Sequence, residues 1–338
     1  MQYLCLKQYI MGKKIVGIAM GGFSSERKIS IRSGNQVYEN LDQEKWEIYK
    51  VEVNSKNWFV EYDNKKSPID KSKFSFFKKN KELFFDVIFN AIHGSPGEDG
   101  KLAGLLESLD IPFTSCNSNS AELTFNKKRC VDFAKENNVL TAKSILLNKN
   151  DDVNIEKLIK EIGLPCFVKP NSSGSSFGVS RIKFKENLNN GIKSAFKEDD
   201  EIIVESELKG VEVSIGIYRN QNEIIPLPIT EIVSEKDFFD YEAKYQGKAK
   251  EITPANISEE IKKTINKISK DLYQKLNLKG IIRIDFIIVN DKPHLLEINT
   301  VPGLTEESII PKQISAANIS TKELFESMLL LALNEKKR

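Results

Sequence analysis

Lys14-Ile-Val-Gly-Ile-Ala-Met20 is an apolar run closed by Gly21-Gly22, and the segment after it carries Ile31, Val37 and Leu41 at helix-compatible spacing. A strand, a glycine turn and a helix in that order open a doubly wound α/β domain. Phe84–Ile92 reads as a second buried strand running into the polar loop His93-Gly-Ser-Pro-Gly-Glu-Asp-Gly100, followed by a helix over Leu102–Leu109 and a short strand over Ile111–Thr114. Near Asn117 the texture changes. A helix over Ala121–Asn137 leads to strands near Ser144–Leu147 and Cys166–Lys169, and the Gly-Ser-rich stretch Ser172–Gly178 returns into Val179–Ile182. Strand Glu201–Glu205, a turn at Lys209-Gly210 and the alternating strand Val211–Ile217 follow. The last third holds a helix over Glu259–Leu276, a hairpin over Ile281–Asn299 and a terminal helix over Lys322–Asn334. Breaks near 117 and 208 divide the chain into an N-terminal α/β domain (1–117), a central segment (118–208) and a C-terminal segment (209–338).

Composition narrows the classes. Across 338 residues, Lys+Arg 50 against Asp+Glu 48 leaves +2, which gives no overall excess for binding nucleic acid. The basic stretch Lys65–Lys81 is interrupted by phenylalanines and reads as a solvated surface excursion. Cys5, Cys116, Cys130 and Cys166 show no zinc or redox spacing, as expected of reduced thiols in the cytoplasm. No apolar run approaches membrane-span length, and Met1–Ile10 lacks the features of a signal peptide; it reads as an extension or a misassigned start ahead of Met11. The G-x-G-x-x-G fingerprint is absent, which argues against a nicotinamide enzyme.

The chemistry concentrates in the hairpin. In Gly280-Ile-Ile-Arg-Ile-Asp-Phe-Ile-Ile288, alternation puts Arg283 and Asp285 on one face and Ile282, Ile284, Phe286 and Ile288 on the other. Asn290-Asp-Lys-Pro293 is turn chemistry, and the return strand groups Glu297 with Asn299, with Leu296 and Ile298 opposite. Folding about residue 291 sets Asp285 across from Glu297. Two carboxylates directly opposite on a sheet repel, and a hard divalent cation reverses the sign. Three oxygen side chains suit Mg²⁺. The competing reading is a polar surface with Arg283 neutralising Asp285.

Lys169 ends the apolar strand Cys166-Phe-Val168, and Ser173-Gly-Ser-Ser-Phe-Gly178 beyond it offers backbone donors to phosphate, although it is not a Walker A loop. Glu205 and Glu212 flank a turn where carboxylates can accept from amino or ribose groups. His93 lies where a buried strand opens into a loop, the usual place for binding groups in α/β sheets, whereas His294 reads as structural.

These pieces, in this order, resemble the D-alanine–D-alanine ligase family of ATP-grasp enzymes from about Lys14 to Lys312. The motifs are Gly21-Gly-Phe-Ser-Ser-Glu26 through Ser30, His93–Gly100, and Val168-Lys-Pro with Gly174–Gly178. Phe239-Asp-Tyr-Glu-Ala-Lys-Tyr245, Arg283-Ile-Asp285 and Leu296-Glu-Ile-Asn-Thr-Val-Pro-Gly-Leu-Thr305 complete the set. The resemblance implies a three-domain ATP-grasp architecture, a homodimer, and ATP held between the central and C-terminal parts. Lys127, Lys169, Glu205, Leu208 and Glu212 then look like nucleotide contacts, with Phe238 and Leu296 lining the adenine pocket and Lys244, Ser175 and Ser176 on phosphates. Asp285, Glu297 and Asn299 look like ligands of two Mg²⁺ ions, for which Mn²⁺ can substitute. Glu26 would hold the ammonium of the first alanine, Ser308 with the Ile309 backbone the carboxylate of the second, and His93 would belong to the same substrate-binding set. Tyr245, Ser175 and Glu26 would form a link that closes a loop over the intermediate, and a tyrosine there favours D-alanine over D-lactate as acceptor. Two positions depart from the family pattern: Ala103 stands where glutamine is usual and Asn126 where aspartate is frequent, and Lys127-Lys128 leaves two candidates for the nucleotide lysine.

The implied reaction is attack of one D-alanine carboxylate on the γ-phosphate, giving an acyl phosphate that the second amine then opens to the dipeptide used in peptidoglycan. Arg283 and the backbone N–H of Gly303 would stabilise the oxyanion. The alternatives are an ATP-grasp ligase for another acid and amine, such as D-alanine with D-lactate, or an ATP-binding protein without catalysis.

Overall fold

The computed structural model describes residues 12–174, 178–221, 223–234 and 249–335. It is a mixed α/β protein whose chain divides into two compact units. Among the described residues, unit 1 takes 12–118, 220–221, 223 and 301–335, and unit 2 takes 119–174, 178–219, 224–234 and 249–300.

In unit 1, β1 (Lys14–Gly21) and β2 (Trp46–Val53) are parallel, and β3 (Trp58–Tyr62) and β4 (Lys65–Pro68) extend the sheet antiparallel. The hairpin β5 (Ser75–Lys78) and β6 (Lys81–Phe84) stands apart from it, and β7 (Val87–Asn90) lies parallel on the other side of β1. The order is β4-β3-β2-β1-β7. The carboxyl ends of the parallel strands therefore launch the segments 22–26 and 91–100 from one sheet edge, the edge at which open α/β sheets bind ligands. Helix α1 (Arg27–Asn40) returns from β1 to β2 and buries Ser30, Ser33, Gly34 and Val37, a face of small side chains. Helix α2 (Lys101–Ser108) follows the second of these loops.

The Lys-rich stretch 65–81 is more than a surface excursion. Phe74 and Phe76 are buried, Phe76 with its ring 4.8 Å from Tyr49 and 5.4 Å from Phe85. The lysines stay outside and lie over aromatic faces, Lys71 on Trp58 and Lys78 on Tyr49. Phe84–Ile92 is likewise not one strand. Phe84 ends β6 half-exposed, and Asp86 interrupts the run by accepting from the Ile15 amide at 2.7 Å. Ile111–Thr114 makes only a bridge to Ile88, because Pro112 has no N–H to continue a ladder.

Unit 2 begins in α3 (Ser118–Phe125) and α4 (Lys127–Glu136). The pattern predicts one helix here, but Asn126 breaks it: its side chain accepts from the Arg129 amide at 2.9 Å and caps α4. After β8 (Leu140–Thr141) comes an antiparallel sheet of order β11-β10-β12-β9, made by β9 (Ser144–Asn148), β10 (Cys166–Pro170), β11 (Ser180–Ile182) and β12 (Glu201–Ser206). Helices α5 (Ile155–Ile162) and α6 (Leu188–Ala195) bury Leu158 and Leu188 against Val168, Ile202 and Val204 of this sheet. The second sheet has the order β16-β15-β13-β17-β18-β8, with β14 (Glu223–Pro226) also on β13 (Val211–Asn220). Its other members are β15 (Thr230–Ser234), β16 (Ala249–Ile252), β17 (Ile282–Val289) and β18 (Lys292–Asn299). Helix α7 (Glu259–Lys275) is capped by Ser258 and carries Glu259 and Glu260 in its first turn, both favourable at a helix N-terminus.

The sequence pattern groups residues 301–338 with the C-terminal segment; in the structure residues 301–335 pack in unit 1. There the helices Ile309–Ala316 and Thr321–Glu335 return to the N-terminal sheet, with Phe325 edge-on to Phe89 at 5.4 Å and Lys322 paired with Asp42 at 2.9 Å. The burial of Phe76 carries a testable cost: Phe76→Ala should lower stability by about 3–5 kcal/mol, read as a shift in the urea midpoint without a change in slope.

Candidate active site

The hairpin pairs as the alternation predicts. Asp285 faces Glu297 and Arg283 faces Asn299, while Ile282, Ile284 and Phe286 are fully buried on the other face. A bulge between Asp285 and Phe286 adds one residue to β18, so Leu295 rather than Leu296 joins Ile298 inside, and Leu296 is left half-buried beside Glu297. This corrects the expected orientation of Leu296.

Asp285 is 4% exposed and closely held. Arg283 donates from Nε to its Oδ1 at 3.0 Å and from Nη2 to its Oδ2 at 2.9 Å, and Nη2 stands 3.7 Å from Glu297 Oε1. Ser214, the β13 residue paired with Asp285, donates to Oδ1 at 2.6 Å. Asn299 Nδ2 lies 3.2 Å from Asp285 Oδ2 and 3.4 Å from Glu297 Oε1. The three groups converge, and both carboxylates with the amide oxygen are hard donors suited to Mg²⁺. A cation between them would require the Asn299 amide to turn its oxygen inward. No trio of His, Cys, Asp or Glu at metal spacing occurs among the described residues, so the donor set here is two carboxylates and an amide. The sequence pattern missed Ser214; its signal was a lone hydroxyl inside the run Val213-Ser-Ile215.

Lys169 and Glu205 sit on neighbouring strands β10 and β12, both nearly enclosed, with Nζ 2.5 Å from Oε2. Lys127 opens α4, its amide donating to the Asn171 carbonyl and its Nζ to the carbonyl of Ser173. Lys128 instead pairs with Asp132 along the helix, so among the described residues it is Lys127 that reaches the Gly-Ser loop. Buried Asn171 secures the stem of that loop by accepting from the Lys128 amide at 2.9 Å and donating to Glu201 at 2.8 Å. Burial pushes the Cys130 thiol up to about 12; the charge of Glu297 adds to this, Lys127 opposes it, Glu205 adds and Lys169 opposes. Leu208 and Glu212 flank the β12–β13 turn, both partly exposed. Ser175, Ser176, Phe238, Lys244 and Tyr245 lie outside the described residues.

Unit 1 carries a second set. Glu26 stands at the head of α1, and its Oε2 is enclosed yet accepts no hydrogen bond from the described residues, a setting that suits an incoming ammonium. His93 is buried, with Nε2 3.0 Å from Ser33 Oγ and Nδ1 2.7 Å from the Val301 carbonyl oxygen. Both of its ring nitrogens are therefore engaged by the protein. Ser308 stands at the N-cap position of the helix Ile309–Ala316, its Oγ bonded to Thr305 at 2.8 Å rather than to a helix amide, and the Ile309 amide follows at the helix N-terminus. Gly303 lies against Ser308: a Cβ there would stand 2.7 Å from Ser308 Oγ.

The raised thiols give a direct check. The Cys166 thiol is pushed up by burial to about 11, so at pH 8 neither it nor Cys130 carries appreciable thiolate, and thiolate forms only as pH rises through 11 to 12. Iodoacetamide at pH 8 followed by peptide mapping should leave both unlabelled in the native protein and label both in denaturant.

Residues 15–116 match the profile described as D-ala D-ala ligase N-terminus, and residues 134–330 that described as D-ala D-ala ligase C-terminus. The chain is 47% identical over 321 residues to the D-alanine–D-alanine ligase of Flavobacterium johnsoniae, covering 95% of this chain and 99% of that one. It is 46% identical to that of Christiangramia forsetii, covering 96% and 100%. Among solved structures, D-alanyl-alanine synthetase A from Vibrio cholerae superposes with a TM-score of 0.86 at 25% identity, over 96% of this chain and 99% of that one. The VanG D-Ala:D-Ser ligase from Enterococcus faecalis gives 0.85 at 26%, over 95% and 100%. The D-alanine–D-alanine ligase from Bacillus anthracis complexed with ATP gives 0.77 at 29%, over 96% and 98%. With both halves matched and relatives this similar along almost their whole length, the chain belongs to the D-alanine–D-alanine ligase family.

Proposed function

We propose that this protein uses ATP to join two D-alanines into D-alanyl-D-alanine, releasing ADP and phosphate, and so supplies the dipeptide of peptidoglycan. The observation that carries this reading is the 47% identity to a D-alanine–D-alanine ligase over nearly the full length of both chains.

Joining a carboxylate to an amine in water is uphill, so the first alanine's carboxylate is activated by attack on the γ-phosphate. That step needs charge neutralisation and alignment more than covalent help from the protein. Lys169 and Lys127 supply positive charge, with Lys244 and the Ser175-Ser176 amides on the phosphates, while Glu205, Leu208, Glu212, Phe238 and Leu296 hold the nucleoside. Asp285, Glu297 and Asn299 would hold two Mg²⁺ ions, or Mn²⁺ in their place, which when bound screen the phosphate oxygens. Glu26 accepts the ammonium of the first alanine with its unengaged oxygen. Ser308 and the Ile309 amide take the carboxylate of the second, whose amine then opens the acyl phosphate. Arg283, fixed in plane by its two-point grip on Asp285, and the Gly303 N–H receive the developing oxyanion. Tyr245, with Ser175 and Glu26, closes over the intermediate and favours an amine acceptor.

Unit 2 then comprises two ATP-grasp subdomains meeting near residue 208, one for each of its sheets. We place the protein in the cytoplasm as a homodimer; among the described residues no helix is long and apolar enough to cross a membrane. The likeness to a D-Ala:D-Ser ligase makes the acceptor the point to test. Incubation with ATP, Mg²⁺, D-alanine and equimolar D-serine or D-lactate should give dialanine as the main product by mass; a mixed product in excess would reassign the acceptor. Glu297→Gln should keep the fold by circular dichroism and lose ADP formation by on the order of 10²-fold or more, and near-normal turnover would remove Glu297 from the site.

A further inference from the structure

We propose that Ser33 is a positioning residue that fixes the segment Val301–Leu304, and with it the backbone N–H of Gly303, against the N-terminal sheet. Its kinetic consequence rests on the ligase reading above; its structural consequence does not.

Ser33 lies on the sheet-facing side of α1, fully buried and one helical turn from Ser30. The two serines tie different things. Ser30 Oγ accepts from the Gly21 amide at 2.8 Å and donates to the Ala91 carbonyl at 2.7 Å, joining the ends of β1 and β7. Ser33 Oγ accepts from the Leu304 amide at 3.1 Å and stands 3.0 Å from His93 Nε2.

The direction of the chain of bonds follows from chemistry. A carbonyl oxygen can only accept, so the proton between His93 and Val301 belongs to Nδ1. In the neutral ring Nε2 is then an acceptor, and the Ser33 hydroxyl donates to it. The path runs from the Leu304 N–H to Ser33, from the Ser33 O–H to His93, and from the His93 Nδ1–H to the Val301 carbonyl. It starts and ends on the same four-residue segment, with Pro302 and Gly303 enclosed between its ends. Glu98 closes the other side: Oε1 accepts from the Val301 amide at 3.3 Å and Oε2 from the Gly94 amide at 2.6 Å. Val301 is thus held through both of its backbone groups and Leu304 through its amide, by side chains more than 200 positions away in sequence.

Ser33 is the one hydroxyl in this circuit that both accepts from the segment and orients the imidazole. Alanine at 33 would leave the buried Leu304 amide and His93 Nε2 without these partners, and the segment would gain freedom where an oxyanion donor must be fixed to a fraction of an ångström. The residue touches no reacting atom in this scheme; it acts through Leu304 and His93.

The test measures amide hydrogen exchange by mass spectrometry over peptides spanning 299–306, together with steady-state kinetics, for wild type, Ser33→Ala and Ser33→Thr. In Ser33→Ala, exchange at Val301–Leu304 should rise by about tenfold or more while α1 and the 282–299 hairpin keep their protection. The kcat for dialanine should fall by on the order of 10²-fold with KM for ATP unchanged. Ser33→Thr, which keeps the hydroxyl, should recover protection and most of kcat. Unchanged exchange in Ser33→Ala overturns the clamp. So does a rise spread evenly over unit 1 with KM for ATP raised in step, which would assign Ser33 to packing alone. If wild type makes no dialanine, the ligase reading fails while the exchange result still decides the clamp.

Discussion

Two carboxylates held at paired positions of one hairpin must be offset by positive charge. Asp285 is too enclosed for water to do it. Most of what surrounds the hairpin answers that demand. Arg283 grips Asp285 with two nitrogens and reaches toward Glu297, Ser214 donates from the adjacent strand, and Asn299 spans both acids. A buried acid that loses a partner is costly, so these groups are coupled to one another and cannot vary independently. The apolar face of the same strands anchors the sheet, which lets the polar face be rigid without being stable in its own right.

The free protein keeps its other charges occupied as well. Lys169 is closed on Glu205, and Lys127 is tied to a loop carbonyl. A triphosphate entering among them would exchange partners rather than fill bare cations, so the lysines stay oriented at little reorganisation. Glu26 differs from these lysines: its enclosed Oε2 accepts no hydrogen bond from the described residues, so a cation arriving there would find a carboxylate oxygen ready to accept.

Period-two alternation with a strong turn made the hairpin readable, down to the pairing of Asp285 with Glu297. The bulge that leaves Leu296 out of the buried face was not readable, because one extra residue leaves no mark in a hydrophobic pattern. Asn126 looked like a tolerable helix interior and acts as a cap, since its side chain competes for a backbone N–H that only the folded geometry offers. Phe74 and Phe76 were hidden by the lysines around them, which cover aromatic faces without interrupting the core. The groups that hold the site residues, Ser214, Ser33, Glu98 and Asn171, were invisible for a different reason. Each works through a partner set by the fold, from 30 positions away for Asn171 to 271 for Ser33. The identity of the nucleotide and alanine groups came from motif resemblance, and five of those residues lie where the structure makes no statement.

Unit 1 is assembled chiefly from residues before 119 and after 300, with unit 2 lying between them in sequence apart from the short stretch 220–223. On a ribosome adding about 5–20 residues per second, the N-terminal sheet is exposed on the order of ten seconds or more before its closing helices arrive. During that interval Phe89 lacks the ring of Phe325, and Val301 and Leu304 are not yet there for Glu98, His93 and Ser33 to grasp. Synthesis order therefore makes the loops of the N-terminal sheet wait for residues 301–325 before they can take their final shape.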